Sequence, residues 1–451
     1  MEHDFSEGSV AKHIAQQAIP LIVAQFVQLL YHVVDRIYIG HLPVENGLAL
    51  TGVGITFPII SLITAFTNLF GMGGAPLCSI ARGAGQTERA EKMMGNTAVL
   101  LFVCSFVIMA VFFCLEKPIL YLFGASSETY GYAYDYMSVY LLGTVFAMLG
   151  TGLNYFITSQ GFPRIAMVTT VVGALINLLL DPLFLFVFDM GVRGAALATV
   201  ISQAISALWV LRFLTGKEAI LHLRKRWFRL DFGYAKEIVA LGFAGFTMSA
   251  TNGLVQIACN ATLQSVSGDL YIGIMTILNS VRDIISLPVS GITNGAQPVL
   301  GYNYGAKQYD RVKQGIRVTT WMGGIYCLVA CALTLLVPQM FIRIFVNDPA
   351  YLEHGVSAMR LYFSAFFFMV FQFSGQSSFV GLGKSKQAVF FSLFRKVLIV
   401  IPLTLWLPHV GNLGVNGAFL AEPISNIIGG VACYWTMYWT VYRRLGKEEQ
   451  A

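Results

Sequence analysis

Residues 76–89 read Pro-Leu-Cys-Ser-Ile-Ala-Arg-Gly-Ala-Gly-Gln-Thr-Glu-Arg, and residues 298–311 read Pro-Val-Leu-Gly-Tyr-Asn-Tyr-Gly-Ala-Lys-Gln-Tyr-Asp-Arg. Pro76, Gly83, Ala84, Gln86, Glu88 and Arg89 thus correspond to Pro298, Gly305, Ala306, Gln308, Asp310 and Arg311 at a constant offset of 222 (298 − 76). A second match follows near the end of each half. Gly191-Val-Arg-Gly-Ala-Ala-Leu-Ala-Thr-Val-Ile-Ser202 aligns with Gly414-Val-Asn-Gly-Ala-Phe-Leu-Ala-Glu-Pro-Ile-Ser425 at an offset of 223 (414 − 191). Self-similarity at a fixed offset marks a duplicated structural unit, so the chain is two copies of one fold.

Composition says what is duplicated. Of 451 residues 56% are hydrophobic and only 12% charged, with a mean hydropathy of +0.67. That is far more apolar than a water-soluble core needs, and the solvent for most of this surface is lipid. Apolar segments fall at about 14–40, 48–72, 93–115, 132–160, 165–188, 194–214, 237–262, 270–300, 316–338, 355–382, 388–408 and 414–442, each long enough to span a bilayer as a helix. The expected fold is an all-α integral membrane protein of twelve transmembrane helices in two pseudo-symmetric six-helix lobes. An even number of helices per copy keeps both copies in one orientation, so the repeats are parallel and imply a cavity between lobes.

The expected divisions are a cytoplasmic N-terminal segment (1–13), an N-lobe (14–214), a cytoplasmic connector (215–236), a C-lobe (237–442) and a cytoplasmic tail (443–451). The connector carries Arg224, Lys225, Arg226 and Arg229. With alternate loops assigned to opposite sides, that side also holds Lys12, Arg82, Arg89, Lys92, Arg164, Lys307, Arg311, Lys313, Arg317, Lys384, Lys386, Arg395, Lys396, Arg443, Arg444 and Lys447. The other side holds Lys117, Arg193 and Arg343. The positive-inside rule then puts both termini in the cytoplasm. The net charge of +6 therefore reads as topology and not as a nucleic-acid surface, since no contiguous basic face forms. The seven cysteines sit in or beside apolar runs without CxxC spacing, which implies neither disulfides nor zinc. P-loop, nucleotide fingerprint, nucleophile elbow and His-Glu-x-x-His are all absent. The chain reads as no enzyme, with no cofactor beyond a coupling ion.

An ionisable group deep in an apolar helix needs a partner or a task. In the first helix Gln25, Gln28, His32 and Asp35 recur at helical spacing on one stripe; in the fifth, Asn177 and Asp181 are four apart and share a face, with Pro182 next. Thr199 lies on the sixth with Ser202, Gln203 and Ser206. Asp35, Asp181 and Thr199 each fall roughly 8–11 Å below the outer end of their helices, at about 1.5 Å per residue. Two carboxylates, an amide and a hydroxyl at one depth suit either Na⁺ coordination by hard oxygens or a proton shared between acids. The seventh helix carries only a neutral stripe, Ser249, Asn252, Gln256 and Asn260. The repeat counterpart of Asp181 falls at Leu403 or Thr404, and that of Thr199 at Glu422. Ion coupling is therefore expected in the N-terminal half. Gln25, Met248, Gln256 and Met275 are candidates for the wall of an adaptable substrate cavity. Arg36, Glu422 and the embedded Arg282-Asp283 pair have no role assigned from sequence.

The paired segments 76–89 and 298–311, Val34-Asp35 followed by Gly40, Asn177 with Asp181-Pro182, and the Gly191–Ser202 run together resemble the multidrug and toxic-compound extrusion (MATE) family, from about Ala18 to Tyr442. The resemblance implies two six-helix lobes and outward export coupled to H⁺ or Na⁺. It matches Asp35, Asn177, Asp181 and Thr199 to a cation site, Na⁺ included, and Tyr136 and Asn154 to its supporting hydrogen-bond network, beside Gln28 and His32. The expected function is a secondary antiporter of cationic or amphipathic drugs in a bacterial cell membrane, working as a monomer with no nucleic-acid partner. The competing readings are a lipid-linked saccharide flippase of the same superfamily, which needs a strongly cationic cavity, and a membrane receptor or scaffold, which needs an extramembrane domain.

Overall fold

The structure, a computed structural model, describes residues 4–40, 42, 48–267, 269–346, 348–411 and 413–446. The ends of the expected terminal segments, 1–3 and 447–451, and the side chains of Asn252 and Asn260 lie outside the described residues. Every expected apolar segment is helical. In chain order the helices are α1 Val10–Gly40, α2 Leu48–Gly83, α3 Thr87–Leu122, α4 Tyr130–Leu142, α5 Thr144–Ser159, α6 Pro163–Pro182, α7 Gly191–Thr215, α8 Phe232–Ser267, α9 Asp269–Gly305, α10 Tyr309–Leu336, α11 Pro338–Arg343, α12 Pro349–Phe363, α13 Met369–Gly381, α14 Ser385–Leu393, α15 Ile401–Trp406 and α16 Val415–Met437. Among the described residues ten helical spans are long and apolar enough to cross a membrane. The bent pair α4 and α5 makes an eleventh, and α16 supplies the last expected segment.

The repeated motif is a helix stop and restart. At the end of α2, Gln86 N–H bonds Ala81 C=O at 2.9 Å and Gly85 N–H bonds Arg82 C=O at 3.0 Å; at the end of α9, Gln308 N–H bonds Asn303 C=O at 2.9 Å and Lys307 N–H bonds Tyr304 C=O at 3.1 Å. This pairing of bonds is a Schellman cap, which needs one residue at positive φ. Gly85 supplies it at +72° and Lys307 at +59°. A second matched cap ends α5 at Gly161 and α13 at Gly383, again at an offset of 222 (383 − 161).

Bends have local causes. In α3 Leu115 leaves helical geometry three residues before Pro118, whose ring lacks the N–H that the turn needs. The helices α4 and α5 meet at 56° at Gly143, where a Cβ would collide with the Val200 side chain. Close helix packing by small residues is clearest between α2 and α8, since a Cβ on Gly242 would strike the Leu69 carbonyl oxygen.

The chain forms two compact units, one over Ile19–Phe246 and the other over Phe5–Ala18 and Thr247–Ala451 as far as residues are described. These limits differ from the lobes at 14–214 and 237–442. The connector explains part of the difference, because it is fastened to the first unit. The buried Glu91 carboxylate of α3 accepts from His222 N–H at 3.1 Å and Trp227 Nε1 at 3.2 Å and pairs with Arg224 Nε at 3.0 Å, while Asn96 accepts from Asp231 N–H at 2.7 Å. In the second unit Arg311 donates to the carbonyls of Phe5, Glu7 and Gly8 at 2.8–3.0 Å, and Phe5, only 1% exposed, packs edge-on against Tyr302. One correction concerns charge. Arg395 and Lys396, assigned to a cytoplasmic loop, lie buried inside the span Ser385–His409 and do not count toward topology.

Candidate functional site

In the first unit, α1, α6 and α7 bring Asp35, Asn177, Asp181 and Thr199 together. All four are nearly inaccessible, with Asp181 at 0% and Asp35 at 6% exposure. The Asn177 amide, oriented by its neighbours, donates to Asp181 Oδ2 at 2.8 Å and accepts from Thr199 Oγ1 at 3.2 Å. The two carboxylates lie within hydrogen-bonding reach of each other, yet Asp35 Oδ1 meets no donor among the described residues. Arg36 is near enough for its charge to act on Asp35 but forms no ion pair with either acid: it is exposed and stacks on the Phe57 ring, 4.5 Å from the centroid. Carboxylates are acceptors only when ionised. Two of them in mutual reach, with no ion pair to a base among the described residues, favour a proton or a small cation between them.

The remaining expected residues divide. Tyr136 joins the cluster, its hydroxyl in hydrogen-bonding reach of Thr199. Asn154 does not: its amide bonds Ala166 C=O at 3.1 Å and Thr170 Oγ1 at 3.3 Å, about three to four helical turns from Asp181 along α6. Gln28 and His32 are exposed, and His32 lies against Tyr31 with ring centroids 4.5 Å apart, turned away from the acids. Of the substrate-wall candidates, Gln25 is half-buried in the first unit, and Met248, in the second, is 38% exposed. Gln256 and Met275 line a cavity of about 190 Å³ inside the second unit.

That cavity also exposes Asn279, Arg282, Asp283, Tyr362, Lys396, Val400, Thr404 and Glu422 on its walls. Val400, Thr404 and Glu422 match Asn177, Asp181 and Thr199 at the repeat offset of 223 (422 − 199). The cavity is therefore the repeat counterpart of the acidic cluster, with its chemistry changed. Glu422 pairs with Arg395 at 3.0 Å, and Arg395 also donates to Asn426 Oδ1 at 2.8 Å.

The MatE family model matches the chain twice, over residues 20–183 and 245–406, at nearly the same displacement as the internal repeat. The chain belongs to the MatE family. MATE proteins are transporters and not enzymes. Relatives include a multidrug export protein MepA of Staphylococcus saprophyticus, 25% identical over 96% of this chain and 95% of its own length, and one of Staphylococcus haemolyticus, 26% identical over 76% and 75%. A solved multidrug-resistance MATE transporter, described in an outward-facing conformation, matches with a TM-score of 0.91 at 21% identity over 99% of both chains, and shows the fold.

Part of the MATE chain's acidic site is absent from the residues expected on sequence. Tyr31 reaches Thr199 through its hydroxyl, and Tyr140 reaches Gln203. A signal is present in the spacing: Tyr31 precedes Asp35 by four residues, Tyr140 follows Tyr136 by four, and Gln203 follows Thr199 by four, all on shared helix faces. His32, three residues before Asp35, carries the same kind of signal and faces elsewhere.

Proposed function

We propose that the protein is a secondary antiporter of a bacterial cell membrane, with both termini cytoplasmic, that exports cationic or amphipathic organic compounds as a monomer. Protons enter through the Asp35–Asp181 pair. The observation that carries the reading is the pair itself: two buried carboxylates in mutual reach, neither of them in an ion pair with a base among the described residues. Proton binding relieves their repulsion, and a ligand or proton that favours one conformation shifts the population toward it. A unit charge moving through 100 mV releases about 2.3 kcal/mol, enough to drive useful accumulation. The names of the staphylococcal relatives support drugs as the exported class. Na⁺ is a second reading, favoured by the Asn177 and Thr199 oxygens beside the acids, which complete a hard-oxygen set.

Reconstituted in vesicles, the protein is expected to extrude a fluorescent organic cation when a pH gradient is imposed. A Na⁺ gradient alone driving the same flux would transfer the site to Na⁺. Asp181→Asn is expected to stop both, and transport by that variant at the wild-type rate would end the assignment.

A further inference from the structure

The duplicated cavity in the second unit has a charge arrangement that drug-cation export does not use. Its buried carboxylate, Glu422, is already engaged by Arg395 at 3.0 Å. Arg282, with its side chain 17% exposed, donates to Tyr362 Oη at 3.0 Å and lies 3.8 Å from Glu422. Its other near acid, Asp283, is the adjacent residue with a side chain 69% exposed, at 3.4 Å. Lys396 is 6% exposed, lines the cavity, and has no ion pair or hydrogen bond from its side chain among the described residues. Three basic side chains thus converge around one buried acid. Glu422 and Asp283 are the acids that face Lys396, but Glu422 is bonded to Arg395 and shared with Arg282, and Asp283 is mostly exposed. A buried ammonium with so divided a counter-charge is costly, and the cavity beside it is large enough to admit a further anion.

The repeat shows how this came about structurally. Lys396 stands where the first half has Gly173, and Gly429, the counterpart of Ser206, admits the Arg395 stem: a Cβ there would already lie 2.8 Å from Arg395 Cγ. Around the basic groups the walls offer the neutral side chains of Gln256, Thr276, Asn279 and Thr404 and the apolar Met275 and Val400. Amide and hydroxyl donors beside cations suit a carboxylate, and apolar walls suit a hydrocarbon body attached to it.

We propose that this cavity is a binding site for a small organic carboxylate, with Lys396 as its counter-ion and Arg282 beside it. The site goes beyond cation-coupled export and is independent of Asp35 and Asp181, so its failure leaves the coupling site untouched. The test is equilibrium binding of radiolabelled benzoate to the purified full-length protein in lipid nanodiscs, with benzylamine as a cation of the same shape. Saturable benzoate binding without benzylamine binding is expected. Lys396→Met should weaken it at least about tenfold, the effect of losing one charge-assisted contact, and Lys396→Arg should restore it. Should Lys396→Met not yield folded protein, Gln256→Glu places an acid in the cavity and is expected to abolish benzoate binding while admitting benzylamine. Equal binding of both probes, no benzoate binding, or benzoate binding unchanged in Lys396→Met or Gln256→Glu would overturn the proposal. So would displacement of benzoate by equimolar chloride, which would make the site one for inorganic anions.

Discussion

The two halves of this transporter place opposite chemistry at equivalent positions. In the first, Asn177, Asp181 and Thr199 meet Asp35 to give two buried acids with no buried base; in the second, Val400, Thr404 and Glu422 meet Arg282, Arg395 and Lys396 to give one buried acid among three bases. One tyrosine is kept, Tyr140 in the first half and Tyr362 in the second. Duplication fixes where a polar cluster can be buried without breaking the helix packing. It does not fix the sign of the charge, because a few substitutions on shared faces invert it.

The comparison breaks most sharply at the acids. Asp181→Asn leaves the Asn177 contact available but removes the ionisable partner of Asp35, and is expected to lower gradient-driven efflux by at least about 100-fold with unfolding unchanged, measured in vesicles and by thermal denaturation. The equivalent break in the second half acts on stability. Arg395→Met removes the nearest base to Glu422 and leaves Arg282 at 3.8 Å, so it is expected to cost about 2–3 kcal/mol, and Arg395→Met combined with Glu422→Gln should cost less than the two single changes added together. A double-mutant cycle in detergent measures that coupling.

The connector offers a milder test. Glu91→Gln loses the charge that holds Arg224 and is expected to expose the bonds after Arg224, Lys225 and Arg226 to trypsin, with a loss of about 1–3 kcal/mol; resistance equal to wild type would show that Asn96 and Gln160, whose Oε1 accepts from Leu221 N–H at 2.8 Å, hold the segment without it. The smallest effect is at the matched caps. Gly85 has open space around its Cβ position, so Gly85→Ala tests backbone strain alone and should cost about 1–2 kcal/mol by shifted melting. Lys307 carries that conformation in the second half already.

Legibility follows the distance over which each feature is decided. Spans, repeat and the Asn177–Asp181 face depend on hydropathy and on spacing within one helix, and these are visible in a linear text. The meeting of Asp35 with Asp181 is legible only as a shared depth, because the constant rise per residue ranks positions along a helix axis. The same ranking cannot say which way each helix is turned. His32 and Tyr31 differ by one residue and by about 100° of rotation, and only packing shows that Tyr31 faces Thr199. Asn154 shares the polar character expected of the site but bonds one end of α6 while Asp181 occupies the other.

Sequence by itself determined a duplicated, membrane-embedded helical transporter of the MatE family, because apolar length and a self-match at a fixed offset need no third dimension. Tertiary structure alone decided that Arg395 and Lys396 are interior groups, that Glu91 fastens the connector, and that three bases gather around Glu422 in the second half. Each of these rests on side chains from different helices whose rotation about their axes is set by packing, and a charge is a loop residue or a buried ligand according to that rotation.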